Sequence, residues 1–353
     1  MPHAEAPRRW LADLFPGYFA LVMATGIVAV AADQQDIGWL AAALYAIAAL
    51  AYVVLAGLYG ARLARHWPRF IDDLTSHQKG FAFLTAVAAT NVLGSASVVL
   101  FSWWWLGWTL WALGLALWTV LLYVALVAAI LREPKPGLGT GINGTWFLLT
   151  VATESVAVLG ALLLPRTDSE LQALVCLSAF TLGIVLYLIV MTSLFLRWTF
   201  EPLDPAQADP PSWIAAGAVA ITVLAGSNLL LARDEIPVVA RMAPFLEGMV
   251  LLAWATATFW FPVMVAIGIW RHLVRHVPLR YEPAYWALVF PIGMYGAATF
   301  RMRAALSLDT LEVVPEVTLV VAIVAWSAAF AGLIHHLATA RRSLRGGVRD
   351  LSR

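Results

Sequence analysis

The sequence predicts an all-α polytopic membrane protein, with ten transmembrane helices as five helical hairpins and the odd-numbered helices forming an inner ring around a central pore. Three observations carry that fold class. Of 353 residues, 62% are hydrophobic and 12% are charged, against about 25% charged in a soluble protein. Charge-free runs long enough for a helix to cross ~30 Å of hydrocarbon recur along the chain. They come in pairs whose first members begin at nearly even intervals, at Leu14, Gly80, Asn143, Ser212 and Pro283, the mark of a repeated unit.

The first span is Leu14 to Ala32. Arg8 and Arg9 before it, and Ala29, Val30 and Ala31 at its end, resemble a secretory signal with its cleavage site. Its 19 residues exceed a usual signal core, and it repeats a pattern found later, so it is read as a retained helix. The acidic loop Asp33, Gln34, Gln35, Asp36 leads into the second span, Ile37 to Ala61. From Gly80 to Leu131 there are 52 residues without a charge, too many for one span. Ser102, followed by Trp103, Trp104 and Trp105, reads as an interfacial turn that divides them into the third and fourth. Asn143 to Leu164 and Leu171 to Leu196 follow, parted by Pro165, Arg166, Thr167, Asp168 and Ser169. Ser212 to Ala232 and Phe245 to Trp270 form the next pair, with Asp234, Glu235, Pro237 and Pro244 between them. Pro283 to Phe300 and Val317 to Leu337 are the last. The longest connection between pairs, Glu201 to Pro211, is a Pro- and Asp-rich linker with no room for a domain. The expected organisation is an N-terminal segment over 1–13, one ten-helix channel or transporter domain over 14–337, and a basic tail over 338–353.

Ten spans put both ends of the chain on one side. Assigning the ends and the loops after even-numbered spans to that side collects 17 of the 22 Lys and Arg. Arg166, Arg233, Arg241, Arg301 and Arg303 remain on the other. The positive-inside bias therefore predicts a multi-pass protein of the cell inner (plasma) membrane with both termini cytoplasmic.

An aromatic residue near each odd start sets the register of the repeat: Tyr18, Phe83, Trp146, Trp213 and Trp286. Seven residues on lie Thr25, Thr90, Thr153, Ala220 and Gly293, and eight on lie Gly26, Asn91, Glu154, Ile221 and Met294. One turn nearer the cytoplasm the ring is Val22, Val87, Thr150, Gly217 and Phe290. Odd spans hold the Gly, Thr, Ser, Asn and mid-helix Pro, while even spans are richer in Leu, Trp and Tyr. Small and polar side chains belong where helices meet each other or water, bulky apolar ones where they meet lipid. Five odd helices inside five even ones is the economical arrangement, and an inner ring of five can enclose an axial passage. Close packing alone also explains small residues in membrane helices; Asn91 and Glu154 tip the reading toward a pore. The candidate lining is Thr25, Gly26, Thr90, Asn91, Thr150, Thr153, Glu154, Gly217, Gly293 and Met294.

Glu154 has two readings. It is a neutral carboxyl hydrogen bonded to a neighbour such as Asn91 or a backbone carbonyl, or it is a titrating group in a pathway. Phe290 precedes Pro291, which removes a backbone hydrogen bond and lets the helix bend. A ring beside a kink is well placed to block a passage and move aside; a Phe packed in a core is the plain alternative. Glu247, three residues after Pro244, is accounted for by the start of its helix.

No Lys, Arg or His lies deep in an odd span, so no fixed cation is expected within the passage. Anions would be attracted at the mouths by Arg65, Lys79, Arg271 and Arg275 inside and by Arg301 outside, although topology and contact with lipid headgroups also explain such charges. The formal net charge of +1 does not suggest nucleic acid as a partner. His335 and His336 sit at the inner membrane boundary, where an interfacial role is favoured over a metal site. The single cysteine, Cys176, lies in an apolar run and excludes an internal disulfide or a cysteine-based metal site. An intramembrane enzyme needs an activated nucleophile or a metal cluster. Ser95, Ser97 and Ser227 have no deep His or Lys to activate them, so no catalysis, metal or cofactor is expected.

Three segments, LFPGYFALVMATGIVAVA, TWFLLTVATESVAVLGA and YWALVFPIGMYGAATF, resemble the tellurite-resistance/dicarboxylate transporter family. That family includes the plant guard-cell slow anion channels, fungal malate permeases and sulphite exporters. The likeness runs from about Leu14 to Leu337. It implies five quasi-repeated hairpins around a pore, usually in a homotrimer, and a gating Phe on the ninth helix whose place in the motif falls on Phe290. It also implies small anions as partners: chloride and nitrate, malate and other C4-dicarboxylates, sulphite, or tellurite. An ionised Glu154 in the pore would repel such an anion; a protonated one would not, and a proton-coupled dicarboxylate symporter would use it. Passive anion movement through a Phe-gated pore is the leading expectation and the symporter the alternative. A non-transporting sensor and an intramembrane enzyme are remote ones.

Overall fold

The computed structural model describes residues 10–205 and 210–350, with side chains as far as residue 339. Residues 1–9 of the expected N-terminal segment, 206–209 of the linker and the side chains of the basic tail from 340 onward lie outside the described residues. The described residues are helical and contain no strand. This follows from a chain in which uninterrupted apolar runs must satisfy their own backbone hydrogen bonds.

In order, the α-helices are α1 (Ala20–Asp33), α2 (Gly38–Arg65), α3 (Trp67–Leu74), α4 (Thr85–Phe101), α5 (Trp104–Leu131), α6 (Leu138–Gly141), α7 (Leu148–Leu163), α8 (Glu170–Phe200), α9 (Ile214–Leu231), α10 (Pro237–Ile269), α11 (Trp286–Leu306) and α12 (Val313–Asp350). Eight helices, counted with their terminal turns, are long and apolar enough to cross a membrane, so the protein is a multi-span membrane protein. Two of the ten expected spans fall outside that set. The first is shorter than expected, because Pro16 and Gly17 sit in turns and the α-helix begins only at Ala20, leaving 14 residues. The ninth reaches Leu306 instead of stopping at Phe300, and Gly293, Gly296, Arg301 and Arg303 dilute its hydropathy.

The helices α4, α7, α9 and α11 are each entered through a 3₁₀ turn: Gly80–Leu84, Gly144–Phe147, Pro210–Trp213 and Pro283–Tyr285. Proline and local side-chain acceptors favour such tight first turns. Asn143, for example, accepts from the backbone of Thr145 at 2.9 Å. The turns that follow α1, α4, α7 and α11 each hold a non-glycine residue in the left-handed region: Asp36, Ser102, Asp168 and Ser307. Short polar side chains tolerate that conformation best after glycine. Ser102 thus ends α4 and separates it from α5 within the charge-free stretch.

Helices α1, α4, α7, α9 and α11 touch in a closed cycle, each against the next and α11 against α1. The remaining long helices lie outside it, each straddling two members: α2 on α1 and α4, α5 on α4 and α7, α8 on α7 and α9, α10 on α9 and α11, α12 on α11 and α1. Burial follows the division. The spans that contain α4, α7 and α9 are 83%, 94% and 94% buried, whereas those of α2, α5, α10 and α12 are between 17% and 28% buried. Large apolar side chains such as Leu50, Val120, Leu188 and Phe259 are exposed on the outward faces of the outer helices, the pattern of helices built for hydrocarbon surroundings.

Aromatic donors tie the outer helices to the cycle. Trp326 of α12 donates to Thr25 at 3.0 Å, Trp118 of α5 to Thr153 at 2.9 Å and Trp254 of α10 to Thr299 at 3.1 Å. Tyr52 of α2 meets Thr90 at 2.8 Å, and because the Thr90 hydroxyl already donates to the Ala86 carbonyl, the tyrosine is the donor. Each bond satisfies a group that hydrocarbon would leave unpaired. At the N-terminal end of the cycle, fully buried Arg62 bonds Asp73 at 2.5 Å and the Ala12 carbonyl at 3.1 Å. Buried Arg197 donates to the Ile142 carbonyl at 2.7 Å. Arg62 thus ties the segment before α1 and helix α3 to the end of α2, and Arg197 ties the connection before α7 to the end of α8.

Candidate functional site

Each inner helix turns one stripe of residues toward the axis of the cycle. On α1 the stripe is Ala20, Met23, Ile27, Val30 and Gln34, and on α9 it is Ile214, Ile221, Leu224 and Asn228. Steps of three, four and seven residues keep these side chains on one helical face. Two cavities lie along the axis. One, of about 20 Å³, is lined by Ala20, Thr85, Leu148, Ile214 and Ala287 among others. The second, of about 30 Å³, is lined by Ile27, Asn91, Ser155, Ile221 and Met294 among others. All five inner helices touch both. On each helix the lower-numbered residues line the first cavity and the higher-numbered ones the second, so the five run in the same direction.

Along α11, Phe290 falls between the residues that line the two. It comes three residues after Ala287, in the first cavity, and four before Met294, in the second, and so shares their face of α11. It is fully buried. Pro291, the next residue, cannot donate to the carbonyl one turn back, which softens the helix at this level. Its ring rests on Gly217 of α9.

Of the residues read from sequence as lining, Asn91 and Met294 line the larger cavity. The others, Thr150 apart, sit in the seams between helices. Thr25, Thr90 and Thr153 face α12, α2 and α5 through the bonds described above. Gly26 packs on Val92 of α4, Gly217 on Pro291, and Gly293 on Ile27 and Val28 of α1. Thr150 is fully buried, its hydroxyl without a hydrogen-bond partner.

Glu154 points away from both cavities. Its carboxyl lies against Gly183 of α8, where an added Cβ would come within 2.6 Å of Cδ. Thr222 of α9 donates to Oε1 at 3.0 Å, and Oε2 has no hydrogen-bond partner. Asn91 repeats the arrangement one unit earlier. It fills a notch at Gly114 of α5, where a Cβ would lie 2.8 Å from its Cγ, and donates to Ser155 of α7 at 2.9 Å. In both units a polar side chain enters a glycine notch on the following outer helix and bonds to the next inner one.

The register explains the displacement. In α7 the axial residue is Ser155, one position beyond Glu154, and in α1 it is Ile27, one beyond Gly26. One residue turns a side chain by about 100°, enough to carry it from seam to axis. Sequence reasoning missed four polar residues of the larger cavity: Gln34, Ser95, Ser155 and Asn228. Stepping seven residues from Leu148 and Ile221 reaches Ser155 and Asn228, so helical periodicity was a usable signal.

One cation does enter the lining. Because α11 continues past Phe300, Arg301 borders the larger cavity, and its Nε donates to Asn228 Oδ1 at 2.9 Å. Asn228 in turn donates to the Val158 carbonyl at 3.2 Å. The charges at the other end of the cycle are spent differently. Lys79 pairs with Asp73 at 2.9 Å, Arg275 lies 5.3 Å over the Trp270 ring, and Arg65 is exposed at the end of α2. Arg271 is buried in a crevice with Ser212, Trp213 and Tyr285.

Comparison with known proteins matches residues 13–334 to the family described as voltage-dependent anion channel. The chain is 23% identical over 293 residues to a Methanocaldococcus jannaschii protein named an uncharacterized transporter, covering 80% of this chain and 82% of that one. A second transporter so named from the same organism is 23% identical over 301 residues, covering 81% and 83%. An uncharacterized membrane protein of Mycobacterium tuberculosis is 39% identical over 153 residues, 43% of this chain and 77% of that protein.

Proposed function

We propose a transport function from a plain premise: the chain belongs to the voltage-dependent anion channel family. That membership supports anion transport and is consistent with a protein that is not an enzyme. The specific reading is passive movement of a small anion along the axis of the inner cycle, through one pore per subunit, closed at Phe290 beside the Pro291 kink. The single observation that supports it is the register of α11, in which Phe290 falls between Ala287 and Met294, residues that line two cavities touched by all five inner helices. Arg301 and Asn228 would draw anions to one mouth. The candidate anions are chloride, nitrate, sulphite, tellurite and C4-dicarboxylates such as malate. The N-terminal ends of the inner helices face the cytoplasm of a plasma membrane in this reading, by the distribution of basic residues, and the working unit is a homotrimer.

Purified protein in liposomes tests the proposal, with those anions compared side by side. Phe290→Ala should raise flux by about tenfold, equivalent to ~1.4 kcal/mol off the barrier. Unchanged flux in a folded variant would remove Phe290 from the mechanism. A proton-coupled dicarboxylate symporter is the second reading, and the unpartnered Oε2 of buried Glu154 favours it. It requires uptake that follows a pH gradient in wild type and loses that dependence in Glu154→Gln.

A further inference from the structure

The geometry points to Gly217 as a positioning residue that sets where Phe290 stands, an inference that rests on reading Phe290 as the gate. At this register the other inner helices carry Val22, Val87, Thr150 and Phe290; α9 alone carries no side chain. The space is taken by α11. A Cβ built on Gly217 would lie 2.8 Å from Pro291 Cγ and 3.1 Å from both Pro291 Cα and Cβ, where ordinary contact begins at 3.4 Å. Measured at the backbone Cα, 3.4 less 3.1, the glycine lets the proline turn approach about 0.3 Å closer than an alanine would.

Neither partner can absorb the difference locally. Pro291 Cγ can shift with the pucker of its ring, but Cα is backbone, so full relief requires the turn itself to move. That turn is the soft point of α11, having lost a helical hydrogen bond to Pro291. The far flank of the helix is also closely seated, since a Cβ on Gly293 would lie 3.0 Å from Val28 and 3.2 Å from Ile27 of α1. Phe290 is covalently joined to Pro291, so displacing the turn carries the ring with it. Gly217 is thus the α9 side of the seat that holds the ring across the axis, and crowding the seat unseats the ring.

Anion flux into liposomes, measured with chloride and with nitrate, reads the effect. Gly217→Ala should raise flux by about threefold or more, and Phe290→Ala and the Gly217→Ala/Phe290→Ala pair should agree with each other within about twofold. Gly226→Ala serves as the structural control. It crowds the same helix away from Phe290, against Phe180 at 2.9 Å, and should cost stability without raising flux. Flux in folded Gly217→Ala equal to wild type, while Phe290→Ala is raised, overturns the role of Gly217 and leaves the gate standing. An equal increase on both backgrounds also overturns it, because the glycine would then act independently of the ring. Flat flux in Phe290→Ala removes the gate and this inference with it. If Gly217→Ala does not yield folded protein, Pro291→Ala opens the same contact from the other side, and its flux must differ from wild type only when Phe290 is present.

Discussion

Glu154 is the residue whose location most changes the account, and Gly183→Ala tests that location. The carboxyl occupies a notch that exists because residue 183 has no side chain. An alanine Cβ would stand 2.6 Å from Glu154 Cδ and 2.7 Å from Cγ, short of ordinary contact at 3.4 Å by 0.7–0.8 Å. Glu154 is fully buried and tethered to Thr222, so it has little freedom to retreat. Overpacking of this kind costs about 1–3 kcal/mol. With an unfolding entropy of roughly 2.1 cal/mol/K per residue, 2 kcal/mol lowers the melting temperature of a chain this long by about 3 °C. Thermal unfolding in detergent measures the shift. The decisive variant is Gly183→Ala with Glu154→Ala, which removes both sides of the clash. It should lose less stability than the two single variants together, by about 1 kcal/mol or more. Strict additivity, or no loss in Gly183→Ala, would mean that the carboxyl does not fill the notch.

Two further outcomes follow from the seams and the cavity. Trp118→Phe and Thr153→Val each break one bond between α5 and α7 and should each cost about 1 kcal/mol in the same unfolding assay, with little added cost in the pair. Arg301→Ala should lower anion flux in liposomes about three- to tenfold at low ionic strength, and less at high salt as the field is screened. A salt-independent loss would assign Arg301 to structure through its bond to Asn228.

The all-helical class was legible because hydrophobicity and charge decide it without tertiary detail. So was the break at Ser102, where one polar residue before a run of tryptophans interrupts an apolar stretch. Helix starts were less legible. Leu14 and Asn143 are apolar or apolar-adjacent, yet the chain spends several residues in turns or 3₁₀ geometry before Ala20 and Leu148, which hydropathy does not distinguish from α-helix. The repeat was readable at Thr25, Thr90 and Thr153, and the structure gives all three the same kind of aromatic partner. Which way they point was not readable. Thr153, Glu154 and Ser155 are consecutive, and they face α5, the α8 notch and the axial cavity in turn. A register off by one residue therefore names the seam in place of the lining, and only contacts across helices fix it. Arg301 was legible as a charge at the outer mouth but not as part of the lining, because a charge after an apolar run looks like the end of a span, while α11 continues to Leu306.

The most direct test of the central claim is the current through the protein in planar bilayers as Phe290 is shortened to Leu, then Val, then Ala. An axial passage closed by the Phe290 ring predicts anion conductance that rises with each reduction in side-chain volume. Equal currents across a folded series, or a rise carried by cations, would contradict it.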